Sequence, residues 1–299
     1  MMRKIGILAA IIFAAPAFHA AQAADFPDFT GFWGRNAFDF EPSPTGPGPI
    51  MSLRHRRDGT NDNDATAGDY HNPILKPEAA EVVRERGALS QTGKPFPDPS
   101  NQCSPYPPPF IFAQQLGVQL MQQRDRVTML YNQDDQVRYV RLNSTHPQHV
   151  RPSWKGDAIG HYEGDTLVID TVGIKPGPLG FVDRYGTPHS DALHLVERYR
   201  LIDGKTAREA AERQQKVSGV IMNGGSVVLD RNDPGPDLQL QFTVEDPNTF
   251  TQPWSGIVTY RRRMGPWLEQ VCAENPAVRP NEFSAGESVH VPVAARADF

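Results

Sequence analysis

The chain has 299 residues, with 30 Lys and Arg against 35 Asp and Glu, a formal net charge of −5 and two cysteines. A mildly acidic balance of this kind argues against nucleic acid or an anionic membrane surface as a partner. The length suits one large domain with appended segments rather than a string of small ones.

At the N-terminus, Arg3 and Lys4 precede the apolar run Ile5–Phe18, and Ala21-Gln22-Ala23 fits a small-x-small cleavage site. Residues 1–23 read as a secretory signal peptide, too short and wrongly flanked for a membrane span. No cysteine follows the run, so a lipid anchor is not expected there. Cleavage near Ala24 leaves about 275 residues with a net charge of about −7, placed in the periplasm or outside the cell. In that oxidising setting Cys103 and Cys272 point to one disulfide, with two buried thiols as the alternative. Such a bridge contributes roughly 3–5 kcal/mol in the chain-entropy model. The cysteines lack the tight spacing of a metal site.

Residues 24–125 read as a start strand near Phe29–Trp33 followed by a proline-rich arm with a short helix. The stretches EPSPTGPGP at 41–49 and FPDPSNQCSPYPPPF at 96–110 are expected to run extended over the surface. Between them Pro77–Arg86 predicts a helix, with Pro in the first turn and Gly87 beyond the end. Residues 126–275 carry the main β-barrel: Val127–Tyr131, Val137–Leu142, Ala158–Glu163, Thr166–Val172, Leu193–Leu201, Ser226–Leu229, Leu238–Glu245 and Ile257–Arg262 all show strand patterning. Roughly eight or nine strands are enough to close a barrel. A second helix is predicted over Thr206–Lys216, with Thr206 as cap and Glu209 three residues on. Residues 276–299 form a polar tail. The fold class is mainly β, a single antiparallel barrel with one or two short helices.

The densest stretch is WKGDAIGHYEGDTLVIDTVG, from Trp154 to Gly173. It reads as a hairpin around Glu163-Gly164-Asp165, with Ile159, His161 and Glu163 on one face and Gly160 and Tyr162 on the other. In Leu193–Leu201, Glu197 shares its face with Leu193, Leu195, Tyr199 and Leu201, while His194, Val196, Arg198 and Arg200 share the opposite one. A carboxylate on the apolar face is either a poised acid–base group or half of a structural ion pair. Asp170, alternating with Val168 and Val172, poses the same question. The loop Pro188–His194 holds His189, Asp191 and His194, which fit either a metal or a proton-transfer role, although no HExxH-like helix accompanies them. No P-loop, dinucleotide-binding glycines or G-x-S-x-G occurs, so no cofactor is expected.

Two resemblances narrow the reading. Gly31-Phe32-Trp33 resembles the G-x-W that opens lipocalin and other calycin barrels, where the Trp stacks under an Arg of the last strand; Arg261–Arg263 is placed for that role. Residues 154–168 resemble the signature W-x-G-[DH]-S-I-G-x-W-E-G-D-T-L-V of a secreted, largely uncharacterised bacterial family. Pro188-His189-Ser190, Glu197-Arg198-Tyr199, Asp246-Pro247, Thr251–Trp254 and Cys272–Asn275 follow in that family's order. Carried over, its polar positions fall on Arg138, His146, Glu163, Asp165, Asp170, His189, Glu197 and Arg198. Asn143–Pro147 departs from the family's D-G-R-x-H-P, Ala158 replaces Ser, Tyr162 replaces Trp, and residues 204–236 are longer. The resemblance implies export and a calycin-like barrel, without a reaction.

The expected function is a cofactor-independent lyase or isomerase acting on a small hydrophobic or aromatic compound inside the barrel. Glu197 or His189 abstracts a proton and Arg138 or Arg198 steadies the oxyanion, with His146, His161, Glu163, Asp170, Tyr199 and Trp33 lining the substrate site. The alternatives are a lipocalin-type carrier for a hydrophobic molecule, without membrane insertion, and a secreted structural module. The oligomeric state is left open. Convergence of His189, Glu197 and an Arg around an open cavity marks the enzyme; a closed Glu–Arg pair under packed aromatics marks a binder or scaffold.

Overall fold

Period-two alternation of buried and more exposed residues marks several of the strands, and the sheet they build closes on itself. The computed structural model describes residues 26–35, 37–53, 66–218, 228–229, 234–264, 267 and 269–272. Residues 1–23, read from the sequence as a signal peptide, the tail at 276–299 and residues 219–227 and 230–233 lie outside the described residues.

Eleven strands are described: β1 (Gly31–Gly34), β2 (Glu41–Pro42), β3 (Val118–Gln122), β4 (Arg126–Tyr131), β5 (Gln136–Leu142), β6 (Asp157–Glu163), β7 (Thr166–Val172), β8 (His194–Ile202), β9 (Val228–Leu229), β10 (Asp237–Glu245) and β11 (Trp254–Met264). Nine of them form a closed barrel in the order β1-β3-β4-β5-β6-β7-β8-β10-β11, with β11 returning to β1. The short β2 and β9 pair with β11 outside that ring. Closure removes the open edges that a free sheet would expose to aggregation.

The barrel is mixed rather than antiparallel throughout. Strands β5 and β6 run parallel through Arg141↔Ile159 and Leu142↔Gly160. Parallel neighbours cannot be joined by a tight turn, and residues 143–156 supply the crossover. That stretch carries no strand signal, which hid the reversal.

Leu120, Met129, Val140, Ile169, Leu195, Leu240, Phe242 and Val258 fill the interior and are at most 1% exposed. Trp33 and Arg262 are cross-strand partners where β1 meets β11. The Arg262 guanidinium lies 4.4 Å from the centre of the Trp33 ring. Gly31 explains the glycine of the G-x-W: a Cβ there would sit 2.5 Å from Arg262 Nη1, and φ is +151°.

Several predicted boundaries move. The first helix, α1 (Pro77–Gln91), continues through Gly87 instead of stopping before it. A Cβ at Gly87 would lie 3.2 Å from the Ala67 side chain, so the glycine serves close packing and not termination. The second helix, α2 (Gly204–Ser218), begins earlier because Asp203 caps it, accepting the Thr206 N–H at 2.9 Å and the Thr206 hydroxyl. Strand β3 was not predicted, and with β1 it shows that residues before 126 supply staves as well as an arm. The second proline-rich stretch does not stay on the surface: residues 106–113 are buried. Phe112 packs 5.7 Å from Phe242, and its carbonyl accepts the Tyr260 hydroxyl at 3.3 Å. Three successive prolines lack N–H donors, so this backbone enters an apolar space with few groups to satisfy.

Cys103 and Cys272 are disulfide-bonded, with Cα atoms 5.4 Å apart, tying the chain beyond β11 to the proline-rich stretch. No helix among the described residues is long and apolar enough to cross a membrane.

Candidate functional site

Inside the barrel, alternation on β5 and β8 brings Arg138 and Glu197 face to face. The guanidinium donates to both carboxylate oxygens at 2.9 and 2.6 Å, and the two side chains are 1% and 0% exposed. Thr171 accepts from Arg138 at 2.7 Å, and the Tyr199 hydroxyl donates to Glu197 at 3.0 Å. Burial alone would make the guanidinium easier to deprotonate, but Glu197's charge and hydrogen bonds outweigh it and hold the Arg138 pKa above its ordinary value. Burial and the same carboxylate push the Tyr199 phenol well above its usual range. Burial also raises Tyr131, to about 12. These are the features of a closed structural pair: both carboxylate oxygens and both Nη atoms are engaged, and only the Arg138 Nε is buried without a partner.

Outside the barrel the same strands present a second polar array. Asp170, expected to share the inward question with Glu197, faces outward, because Leu167, Ile169 and Thr171 take the buried positions of β7. His146, on the 143–156 crossover, lies between two carboxylates. Its Nδ1 is 2.6 Å from Asp157 Oδ1, and its Nε2 is 3.1 Å from Asp170 Oδ1. His194 Nε2 approaches both Asp170 oxygens at 3.1 Å. Its Nδ1 lies 3.7 Å from Glu245. Arg141 clamps Asp157 with two bonds of 2.7 and 3.0 Å. Those bonds hold the Asp157 carboxyl below its usual pKa, aided by His146. The result is a continuous chain, Arg141–Asp157–His146–Asp170–His194, most buried at its middle: Asp157 is 17% and His146 22% exposed, against 44% for Arg141 and 39% for Asp170. A neutral imidazole has one N–H and can donate to only one of the two carboxylates beside His146; a ring that takes up a proton donates to both.

The other predicted residues disperse. His189 does not approach Glu197: its Nδ1 faces the Ser190 carbonyl at 2.9 Å and its Nε2 is buried without a partner. Burial lowers its pKa, favouring the neutral ring. The Ser190 N–H and hydroxyl donate to Asp246 at 2.6 and 2.7 Å, joining two of the sequence motifs. Arg198 points outward and pairs with Glu163, which also meets His161 at 3.0 Å; all three are about half exposed. Trp33 belongs to the barrel closure. His189, Asp191 and His194 do not gather, and among the described residues no three His, Cys, Asp or Glu side chains are placed to hold a metal ion.

Sequence reasoning missed Asp157 and Arg141 as site residues. Asp157 was visible in the W-K-G-D signature, and Arg141 lies on the exposed face of β5, opposite Arg138. What could not be read was the parallel β5–β6 register that sets Arg141 beside Asp157. The chain matches no protein-family model, and no curated protein or solved structure is significantly similar to it.

Proposed function

We propose that the protein is an exported, cofactor-independent acid–base enzyme, a lyase or isomerase. Its proton-transfer groups are His146, Asp170 and His194 on the outer face, not Glu197 in the core. The observation that carries this reading is His146 held between Asp157 and Asp170, with Asp170 shared by His194. Asp157, pinned by Arg141, orients the His146 ring, as a buried carboxylate orients the imidazole of a catalytic dyad. Asp170 and His194 reach solvent, so the removed proton enters at the open end and is shared inward to His146. The adjacent outer face of β5 exposes Tyr139 (59%) and Val137 (41%), an apolar margin suited to a small hydrophobic or aromatic compound.

Kinship with the secreted family and with calycin barrels remains part of this proposal. The Trp33–Arg262 stack supports the calycin resemblance, and the Cys103–Cys272 bridge supports an oxidising compartment. The carrier reading is supported by that stack and by the closed Arg138–Glu197 pair, the arrangement expected of a binder or scaffold; Glu197 itself is 0% exposed with both oxygens paired.

The test is exchange of carbon-bound hydrogen for deuterium in heavy water, followed by NMR over a panel of small aromatic carbonyl compounds. The wild type is expected to catalyse exchange on at least one compound. His146→Gln and Asp170→Asn are expected to lose about 10²–10⁴-fold in rate with unchanged circular dichroism. Equal rates in both variants and wild type would remove the cluster from the chemistry.

A further inference from the structure

Lys155, near the end of the 143–156 crossover, takes no part in the His146 cluster. Its Nζ donates to the Tyr106 carbonyl at 2.5 Å and to Gln136 Oε1. It makes no ion pair with a carboxylate among the described residues. The charge acting on it is that of Arg138, of like sign. The Tyr131 ring centre lies 5.6 Å away. The lysine is partly buried, where Lys94, Lys175 and Lys205 are exposed.

The hydrogen-bond count is informative. A neutral amine has two N–H donors and one lone pair, and two acceptors occupy both donors while leaving the lone pair free. An ammonium would have a third N–H. Beside it, the Gln136 amide that accepts from Lys155 carries a buried Nε2 with no partner. An N–H donor without an acceptor, next to an amine without a counter-ion, is the pairing that a carbonyl group completes: oxygen to the amide, carbon to the amine.

We propose that Lys155 is a nucleophilic site for small aldehydes or ketones, with Gln136 as the donor to the carbonyl oxygen. The amine lone pair attacks the carbonyl carbon as the π pair moves to oxygen. A proton passes from nitrogen to oxygen to give the carbinolamine. Loss of water, which carries off that oxygen and the second amine hydrogen, leaves the imine. No oxidant or reductant is consumed. Burial and the Arg138 charge hold the amine well below the ordinary lysine range, which favours its unprotonated, nucleophilic form. This site is separate from the His146 cluster and does not depend on it.

The experiment is reductive trapping of the full chain with benzaldehyde and sodium cyanoborohydride at about pH 7, read by intact mass and peptide mapping. Lys155 is expected to gain its benzyl group at least about tenfold faster than Lys94, Lys175 and Lys205, the ratio of one pKa unit. Gln136→Glu sets a carboxylate against the amine, favours the ammonium and removes the donor. In that variant Lys155 is expected to label no faster than the exposed lysines. The proposal is overturned if wild-type Lys155 labels at or below the rate of the exposed lysines, or if folded Q136E labels as fast as wild type. Should Q136E not fold, the wild-type ratio decides alone.

Discussion

Glu197 is 0% exposed and is matched by Arg138 and Tyr199, with the Thr171 hydroxyl alongside. Removing its charge strands a buried guanidinium, so Glu197→Gln is expected to destabilise the fold by about 3–5 kcal/mol, seen as a shifted urea midpoint. The double variant Arg138→Met/Glu197→Leu, which removes both charges, is expected to recover most of that loss. A Glu197→Gln protein as stable as wild type would mean the pair is not closed. A second buried acid behaves oppositely. Asp183 accepts the N–H groups of Tyr185 and Thr187 at 2.9 and 3.1 Å through Oδ1, while Oδ2 is buried without a partner. Burial raises its pKa to about 6. Between about pH 4 and pH 6 the native state keeps a proton that the unfolded chain has released, so stability falls as pH rises through that window. Asp183→Asn keeps the Oδ1 acceptor and is expected to stabilise the protein by about 1–3 kcal/mol at neutral pH. The gain should vanish toward pH 4. Urea titrations at the two pH values check this, and an equal effect at both would contradict it.

Among the elements, β1 and β11 hold the closure. Gly31→Ala puts a methyl group against the Arg262 guanidinium and forces a side chain onto positive φ. It is expected to cost about 1–3 kcal/mol, read as a fall in melting temperature; an unchanged melting temperature would deny the stack a structural role. Much of this element-level design was legible. The G-x-W and the Arg-rich last strand pointed to the Trp33–Arg262 stack because both are short-range patterns on strands with clear alternation. The inward set Leu195, Glu197 and Tyr199 was readable for the same reason. Asp170 was misread because Val168, though outward, is 5% exposed, so β7 lacks a clean polar face. The outer cluster was hidden more deeply. It depends on a crossover that pairs β5 with β6 in parallel, and register across such a connection leaves no periodic trace in the chain.

At the scale of the whole molecule, the barrel is tied off twice, by the β1–β11 ladder and by the disulfide across a sequence separation of 169 residues. Replacing both cysteines by serine is expected to lower stability by about 3–5 kcal/mol, measured under oxidising conditions; a loss under about 1 kcal/mol would mean the bridge constrains little. Burial is spent on packing and on ion pairs that include Arg138–Glu197 and Arg261–Asp237, and the exposed polar chain lies on the outer wall. That division carries the functional account. It predicts that core and cluster separate in a single measurement: deuterium exchange of the aromatic carbonyl panel by Arg138→Met/Glu197→Leu beside His146→Gln. The core double variant is expected to keep exchange within about threefold of wild type, while His146→Gln loses at least about 10²-fold. Loss of exchange in the folded core variant, with His146→Gln still active, would return the chemistry to the barrel interior and contradict the account.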